Sequence, residues 1–284
     1  MHKPSKHIKK QIDEKKRVND IRRKTKTKAP PEVNAAPYNP SINPGVGNTV
    51  ELEVYGPLAL FTDPFMRVGG EKCTYHVPTY EAIKGILESC YWKPTIIWFP
   101  DEIRVMNRIQ TVPDAVTFRK WAERGNDLAM YSYLKDVRYQ VRAHFEWNAN
   151  YPELACDRNV KKHYEIAARS IAKGGRYDVF LGTRECQAYV EPCKFGEGKG
   201  AYDDLSELDM GIMYHGMTYP NEASSEKTAG KLTRNMCKMV MRNGIITFPR
   251  PEDCLCHETI RDYPFEEFVT RPQHELDGHE GGAT

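Results

Sequence analysis

Apolar and polar residues change rhythm several times along the 284-residue chain, and each rhythm predicts an element. In "VELEVYG", Val50, Leu52 and Val54 alternate with acidic residues, the period of a half-buried strand. In "VPTYEAIKGILESCYW" the period lengthens. Tyr80, Ile83, Leu87, Cys90 and Tyr91 recur at helical spacing, Thr79 can cap the start, and Lys93-Pro94 ends it. "TIIWFPDEIRVM" reads as a long strand broken or bulged at its proline. "SYLKDVRYQVRAHFEW" returns to alternation through Leu134, Val137, Tyr139, Val141, Ala143 and Phe145. A second helix opens in "DRNVKKHYEIAARSI" and closes at Gly174-Gly175, and "RECQAYVEPCKF" is a further strand.

The resulting order, β-α-β-β-α-β, is the ferredoxin-like plan, which RNA-recognition modules share. After the Gly-rich "FGEGKGAYDD", the stretches "LDMGIMYHGMTYP" and "LTRNMCKMVMRNGIITFPRP" predict a smaller β-rich unit. The expected class is therefore α+β. A ferredoxin-like domain at 49–195 is followed by a small β-sheet domain at 196–256 and a frayed tail at 257–284. Residues 1–48 hold few large apolar residues and read as a disordered basic stretch with a Pro/Asn/Gly linker.

Composition sharpens this picture. Hydrophobic residues make up 40% and charged residues 28%, a globular balance, and no apolar run reaches membrane-spanning length. No signal-peptide pattern opens the chain. The net charge of +2 conceals an asymmetry: residues 1–28 carry twelve Lys and Arg against Asp13, Glu14 and Asp20, which leaves the body mildly acidic. A polyanion would thus meet local patches on the body, not a favourable overall field. Cys73, Cys90, Cys156, Cys186, Cys193, Cys237, Cys254 and Cys256 are scattered without a CxxC. They read as reduced, mostly buried thiols of an intracellular protein, without a structural metal.

The second helix holds the candidate chemistry. On a wheel centred on Tyr164, Val160, Ala167, Ala168 and Ile171 lie within about 60° and form the expected buried stripe. His163 then sits at the shoulder, about 100° away, and Lys162 faces almost opposite. Both would project from the first turn, where free backbone N–H groups and the helix dipole attract phosphate. The dipole favours neutral imidazole, available as a base near pH 7. Metal-free RNA cleavage needs such groups: a base for the 2′-OH proton, a cation for the phosphorane-like transition state, and an acid for the leaving 5′ oxygen. A Lys-His pair in a first turn is, on its own, mostly the solvated shoulder of an ordinary helix.

The residues also carry a resemblance. The run "VYGPLALFTDPFMRVGGEKCTYHVPTYEAIKGILESCYWKPTIIW", then "YLKDVRYQVRAHFEWN", "DRNVKKHY", "GGRYDVFLGTRECQAYVEPC" and "FPRPEDC", cover most of residues 50–254 in order. Together they resemble the RNA-processing branch of the Cas-five family, the CRISPR-associated RAMP-superfamily proteins of the type I-C (Dvulg) subtype. The resemblance implies a cytoplasmic, metal-independent endoribonuclease without cofactor that cuts precursor CRISPR RNA at the base of its repeat hairpins. Its upstream product would end in a 2′,3′-cyclic phosphate. The protein would then stay on the 5′ handle of the mature RNA as a subunit of the type I-C surveillance complex, beside its backbone and large subunits. The family's tyrosine in "YWKP" matches Tyr91, and its Lys-His pair matches Lys162 and His163.

By this implication His163 is the general base or acid and Lys162 stabilises charge. Tyr91, a poor base at an ordinary pKa near 10, donates a proton or orients the 2′-OH. The competing expectation is a non-catalytic subunit that only caps the 5′ handle, as other branches resemble. A metal-dependent nuclease is a third, though Asp63, Glu71 and Glu88 show no ligand spacing.

Backbone contacts to RNA are expected from Lys161, a second cation beside Lys162, and from Arg176 and Arg184. His144 faces either solvent or an RNA-binding sheet surface, and His76 and His215 are equally open. Phe61, Tyr75 and Trp92 can stack on bases or belong to the core. Gly69-Gly70, Gly174-Gly175 and "GEGKG" at 196–200 fit no nucleotide-binding fingerprint.

Overall fold

The computed structural model describes residues 47–66, 71–120, 125–223 and 228–262. The chain divides into two units, 1–39 and 40–284; the first lies outside the described residues, as do Gly69-Gly70 and the tail beyond Asp262.

Ten strands and two α-helices are described. They are β1 (Thr49–Ala59), α1 (Tyr80–Cys90), β2 (Ile96–Val105), β3 (Thr111–Arg119), β4 (Asn126–Trp147), α2 (Val160–Ala172), β5 (Val179–Phe180), β6 (Gln187–Pro192), β7 (Leu208–Thr218), β8 (Lys231–Arg242), β9 (Ile245–Thr247) and β10 (Cys256–Asp262). The first half orders its strands β2-β4-β1-β6, all antiparallel. That is the arrangement expected of β-α-β-β-α-β, and the class is α+β. α1 packs on β2, α2 on β1 and β6, and the two helices touch. The alternation read from sequence lies in the core: Leu52, Val54, Leu134, Tyr139, Val141, Ala143 and Phe145 are buried with Ile83, Leu87 and Trp98. Each large aliphatic or aromatic side chain among them contributes about 1.5–3 kcal/mol by leaving water.

Three features depart from expectation. β3 and the first part of β4 form a hairpin whose residues are largely exposed; its lack of alternation hid it. The sheet does not stop at 195: β9 pairs with β2 through Glu102↔Thr247, Ile103↔Ile246 and Arg104↔Ile245, so the C-terminal strands continue one sheet. Residues 257–262, expected in a frayed tail, belong to β10, which pairs with β8 although all its residues are exposed.

Cys237 and Cys254 form a disulfide, where only thiols were expected, because β8 and the turn after β9 bring their Cα atoms to 5.0 Å. Pro100 sits at the expected irregularity, a register shift between Pro100 and Glu102. The "GEGKG" stretch is a strap: Arg104, nearly buried, binds the Asp203 carboxylate at 2.7 Å and the carbonyls of Glu197 and Gly198 at 3.2 and 3.0 Å. Among the described residues no helix is long and apolar enough to cross a membrane.

Candidate active site

α1 starts where the Thr79 side chain accepts from the Ala82 N–H, as its sequence predicts. It ends at Tyr91, whose backbone turns extended (φ −155°, ψ 119°) while its N–H still donates to Leu87 O. The indole N–H of Trp98 donates to the Tyr91 carbonyl at 2.7 Å and fixes this turn. α2 begins after a short 3-10 turn, Pro152–Asp157, with Asn159 as its cap, accepting from the Lys162 N–H at 3.1 Å. It ends in a Schellman arrangement. Gly174 N–H donates to Ile171 O and Gly175 N–H to Ser170 O, with φ of +85° and +107° that glycine adopts freely. The next two N–H groups, of Arg176 and Tyr177, donate to Ser89 O, and Ser170 Oγ–H to Cys90 O. The C-terminal ends of the two helices are thereby tied together, with Tyr91 at the junction.

This places Tyr91 Oη 2.8 Å from His163 Nδ1. The other ring nitrogen, Nε2, lies 2.9 Å from the backbone carbonyl of Asp157. A carbonyl only accepts, so Nε2 carries the hydrogen, Nδ1 presents its lone pair, and the Tyr91 hydroxyl donates to it. The Asp157 carboxylate meanwhile accepts from Thr95 Oγ1 at 3.0 Å and pairs with Lys162 Nζ. That hydrogen bond from Lys162 is the main reason the Asp157 carboxyl stays below its usual range. Burial, aided by the Asp157 charge and opposed by Arg176, pushes the Tyr91 phenol up to about 12, so it remains protonated through the neutral range. The assembly is a directed chain, Tyr O–H to imidazole to backbone carbonyl, with an ammonium alongside.

The wheel placed His163 on the wrong side of the helix face. His163 is 0% exposed and packs edge-on against Trp147 and Phe145, whereas Tyr164 is 37% exposed. The buried residues His163, Ala167 and Ile171 centre the face about 60° from Tyr164, toward the histidine. Tyr164 can keep its hydroxyl in water; His163 is satisfied by partners that only the tertiary fold supplies. Tyr91 too is nearly enclosed, at 2% exposure, while the Lys162 side chain is half exposed, as expected.

The other candidates separate. Lys161 is exposed, facing Glu165 at 3.9 Å. Arg176 is exposed over the Tyr177 ring and lines a surface depression of roughly 700 Å³ with Lys173, Tyr55, Tyr177 and Tyr189. Arg184 is exposed over Phe180. His144 faces neither solvent nor an open sheet surface. It is buried, with Nδ1 on Asp101 at 2.8 Å, Nε2 toward Glu146 at 3.3 Å and its ring stacked on Phe99. Burial alone pushes its pKa down, but the two carboxylates overcome that and raise it to about 9. Phe61 is core, whereas Trp92 is half exposed.

Asp157, Thr95, Tyr177 and Tyr189 were not anticipated. Asp157 opens the quoted helix stretch, yet only the fold shows that its carbonyl orients the histidine while its carboxylate holds the lysine.

The family model described as CRISPR-associated protein (Cas_Cas5), of the Cas5d kind, matches residues 49–249. Curated relatives named CRISPR pre-crRNA endoribonuclease Cas5d include one from Mannheimia succiniciproducens, 27% identical over 231 residues, which cover 72% of this chain and 96% of that one. Another, from Thermus thermophilus, is 29% identical over 157 residues, 50% of this chain and 63% of that one. A crystal structure of a CRISPR-associated protein superposes with a TM-score of 0.59 at 34% identity, covering 74% of this chain and 96% of its own. The Streptococcus mutans protein SMU1763c gives 0.58 at 34% identity, with 74% and 97% covered. A match that runs from the first residue of β1 past β9, and so takes in both helices and the junction they build, leaves one conclusion: the chain belongs to the Cas5d family of CRISPR-associated proteins.

Proposed function

We propose that this chain is an endoribonuclease that cuts the repeats of precursor CRISPR RNA by 2′-OH attack, with His163, Tyr91 and Lys162 as its working groups. It then stays on the 5′ handle as a subunit of the type I-C surveillance complex in the cytoplasm. The observation that carries the reading is the Tyr91–His163 hydrogen bond of 2.8 Å, polarised by the Asp157 carbonyl and flanked by Lys162, in a chain whose curated relatives are named pre-crRNA endoribonucleases.

In this mechanism the 2′-OH gives its proton to the Tyr91 oxygen as the Tyr91 proton passes to His163 Nδ1, along bonds whose direction is already set. The 2′ oxygen bonds to the adjacent phosphorus, and the bond to the 5′ oxygen breaks. The imidazolium then returns a proton by the same hydroxyl to the leaving 5′ oxygen, and the upstream fragment keeps a 2′,3′-cyclic phosphate. General acid-base transfer of this kind contributes roughly 10²–10⁴-fold. Lys162, released from Asp157 by the competing phosphate, offsets the charge of the phosphorane, an effect of roughly 10²–10³-fold. DNA, lacking the 2′-OH, is not cut by this route.

Because His163 and Tyr91 are enclosed, the RNA has to displace groups that shield them, among them Asp157, which bonds both His163 and Lys162. Arg176, Lys173 and the exposed rings of Tyr177 and Tyr189 offer the adjoining surface for phosphate contact and base stacking. The same enclosure favours a second reading, a handle-binding subunit that does not cut. Single-turnover cleavage of cognate repeat RNA by His163→Ala, measured beside its RNA affinity, separates the two. The proposal expects a rate at least 100-fold lower at an affinity within a few-fold of wild type. A wild-type protein that binds and never cuts supports the second reading.

A further inference from the structure

A second cluster of reactive side chains lies at the other end of α1, about 16 Å along the helix from Tyr91. His215 on β7, Cys237 on β8 and Cys254 after the turn Pro251–Asp253 are all buried, and their ligand atoms lie within 4.8 Å of one another. His215 is the extra residue of a β-bulge between the pairs Tyr214↔Met236 and Gly216↔Asn235, a device that re-aims a side chain. Its Nε2 donates to the Pro249 carbonyl at 2.9 Å, which fixes the hydrogen on that nitrogen. Nδ1 is therefore a bare lone pair, and it finds no hydrogen-bond partner among the described residues. A fully buried acceptor without a donor costs about 1–3 kcal/mol and calls for an explanation.

We propose that His215, Cys237 and Cys254 form a zinc site that is filled when the Cys237–Cys254 disulfide is reduced. The ligand types suit zinc: one imidazole nitrogen and two thiolates, with the fourth position of a tetrahedron left to a further ligand. The carbonyl of Pro249 is the outer partner that metal-bound histidines commonly have, setting tautomer and ring angle. The Tyr80 ring stacks on His215 at 4.1 Å and Phe248 packs against Tyr80, a dry shell on one side of the cluster.

The chemistry balances as a two-step exchange. A thiol reductant supplies two electrons and two protons to the disulfide, becoming oxidised itself, and two free thiols result. Zinc then binds Nδ1 and both sulfurs and releases the two thiol protons. The oxidised chain ties β8 to the segment after the Pro251–Asp253 turn by a covalent bond. The reduced chain would hold the same two segments through the metal, which also ties them to His215 on β7.

The test titrates the full-length chain with zinc and, separately, with cobalt, in the reduced and the oxidised state. The reduced chain is expected to take up one metal ion and to show the thiolate-to-cobalt charge-transfer band with the strong visible bands of a tetrahedral site. Oxidising the pair should remove both signals, and zinc should raise the melting temperature of the reduced chain only. Cys237→Ser and Cys254→Ser should abolish the cobalt band, and Cys156→Ser, an exposed thiol outside the cluster, should leave it intact. If the serine variants do not fold, the comparison of reduced and oxidised wild type decides alone. A reduced chain that takes up no metal, or a thiolate band that persists after the pair is oxidised or after both serine substitutions, overturns the proposal.

Discussion

Tyr91→Phe removes one oxygen atom and tests two things at once. In the fold it leaves His163 Nδ1, whose residue is fully enclosed, with no donor in place of a 2.8 Å bond. An unsatisfied buried acceptor costs about 1–3 kcal/mol. For a folded body of this size each kcal/mol shifts the melting temperature by about 2–4 °C, so a fall of roughly 2–12 °C is expected. In the proposed mechanism the variant loses the hydroxyl that would pass the 2′-OH proton to the imidazole, and the rate should fall by roughly 10²–10⁴-fold. The two effects separate when single-turnover cleavage is measured well below the variant's melting temperature, at saturating enzyme, with RNA affinity measured in parallel. A variant that is folded, binds RNA within a few-fold of wild type and cuts within three-fold of wild-type rate refutes the proton path. A variant that loses stability but not rate reduces Tyr91 to a core tyrosine that positions a histidine.

Three further outcomes follow from the same geometry. Lys162→Ala should slow single-turnover cleavage by about 100–1,000-fold, and Lys161→Ala should have a smaller effect; equal rates in all three proteins contradict a role for the ammonium. The folded-state pKa of His144, about 9, lies above the ordinary 6.5, so its pairing with Asp101 and Glu146 stabilises the fold fully below pH 6.5 and is lost as pH rises through 9. Denaturant unfolding should therefore show about 1–3 kcal/mol more loss between pH 6.5 and 10 in wild type than in His144→Gln. Parallel slopes dismiss the pairing, and weakened RNA binding by the variant would contradict the burial of this side chain. Arg104→Ala removes the bonds to the Asp203 carboxylate and to the Glu197 and Gly198 carbonyls and frees the 197–203 strap, at a cost of about 1–3 kcal/mol; an unchanged melting temperature contradicts that account.

The central β-α-β-β-α-β order was legible because each of its elements buries one face, and burial writes a period into the sequence. β3 and β10 bury little, so backbone pairing with a few side-chain contacts holds them and no period marks them. On α2 the wheel failed for a specific reason. It treats tyrosine as apolar and histidine as polar, yet Tyr164 keeps contact with water, and Tyr91, 72 residues earlier in the chain, satisfies His163. Lys162 and His163 stood out by their place in the first turn of α2, but Tyr91, and the weight given to all three as catalytic groups, came from the resemblance. The His215 cluster left no trace because its ligands come from three separate elements, without the short spacings by which zinc sites are read.

The central claim is that the Tyr91–His163–Lys162 junction performs 2′-OH chemistry on repeat RNA. The most direct measurement is cleavage of end-labelled cognate repeat RNA in excess EDTA, beside the same RNA carrying a single 2′-deoxy nucleotide at the cut site. The account predicts one cut in EDTA, a 2′,3′-cyclic phosphate on the upstream fragment, and no cut of the 2′-deoxy RNA. Cleavage that stops in EDTA and returns with magnesium, or that proceeds on the 2′-deoxy RNA, would contradict it.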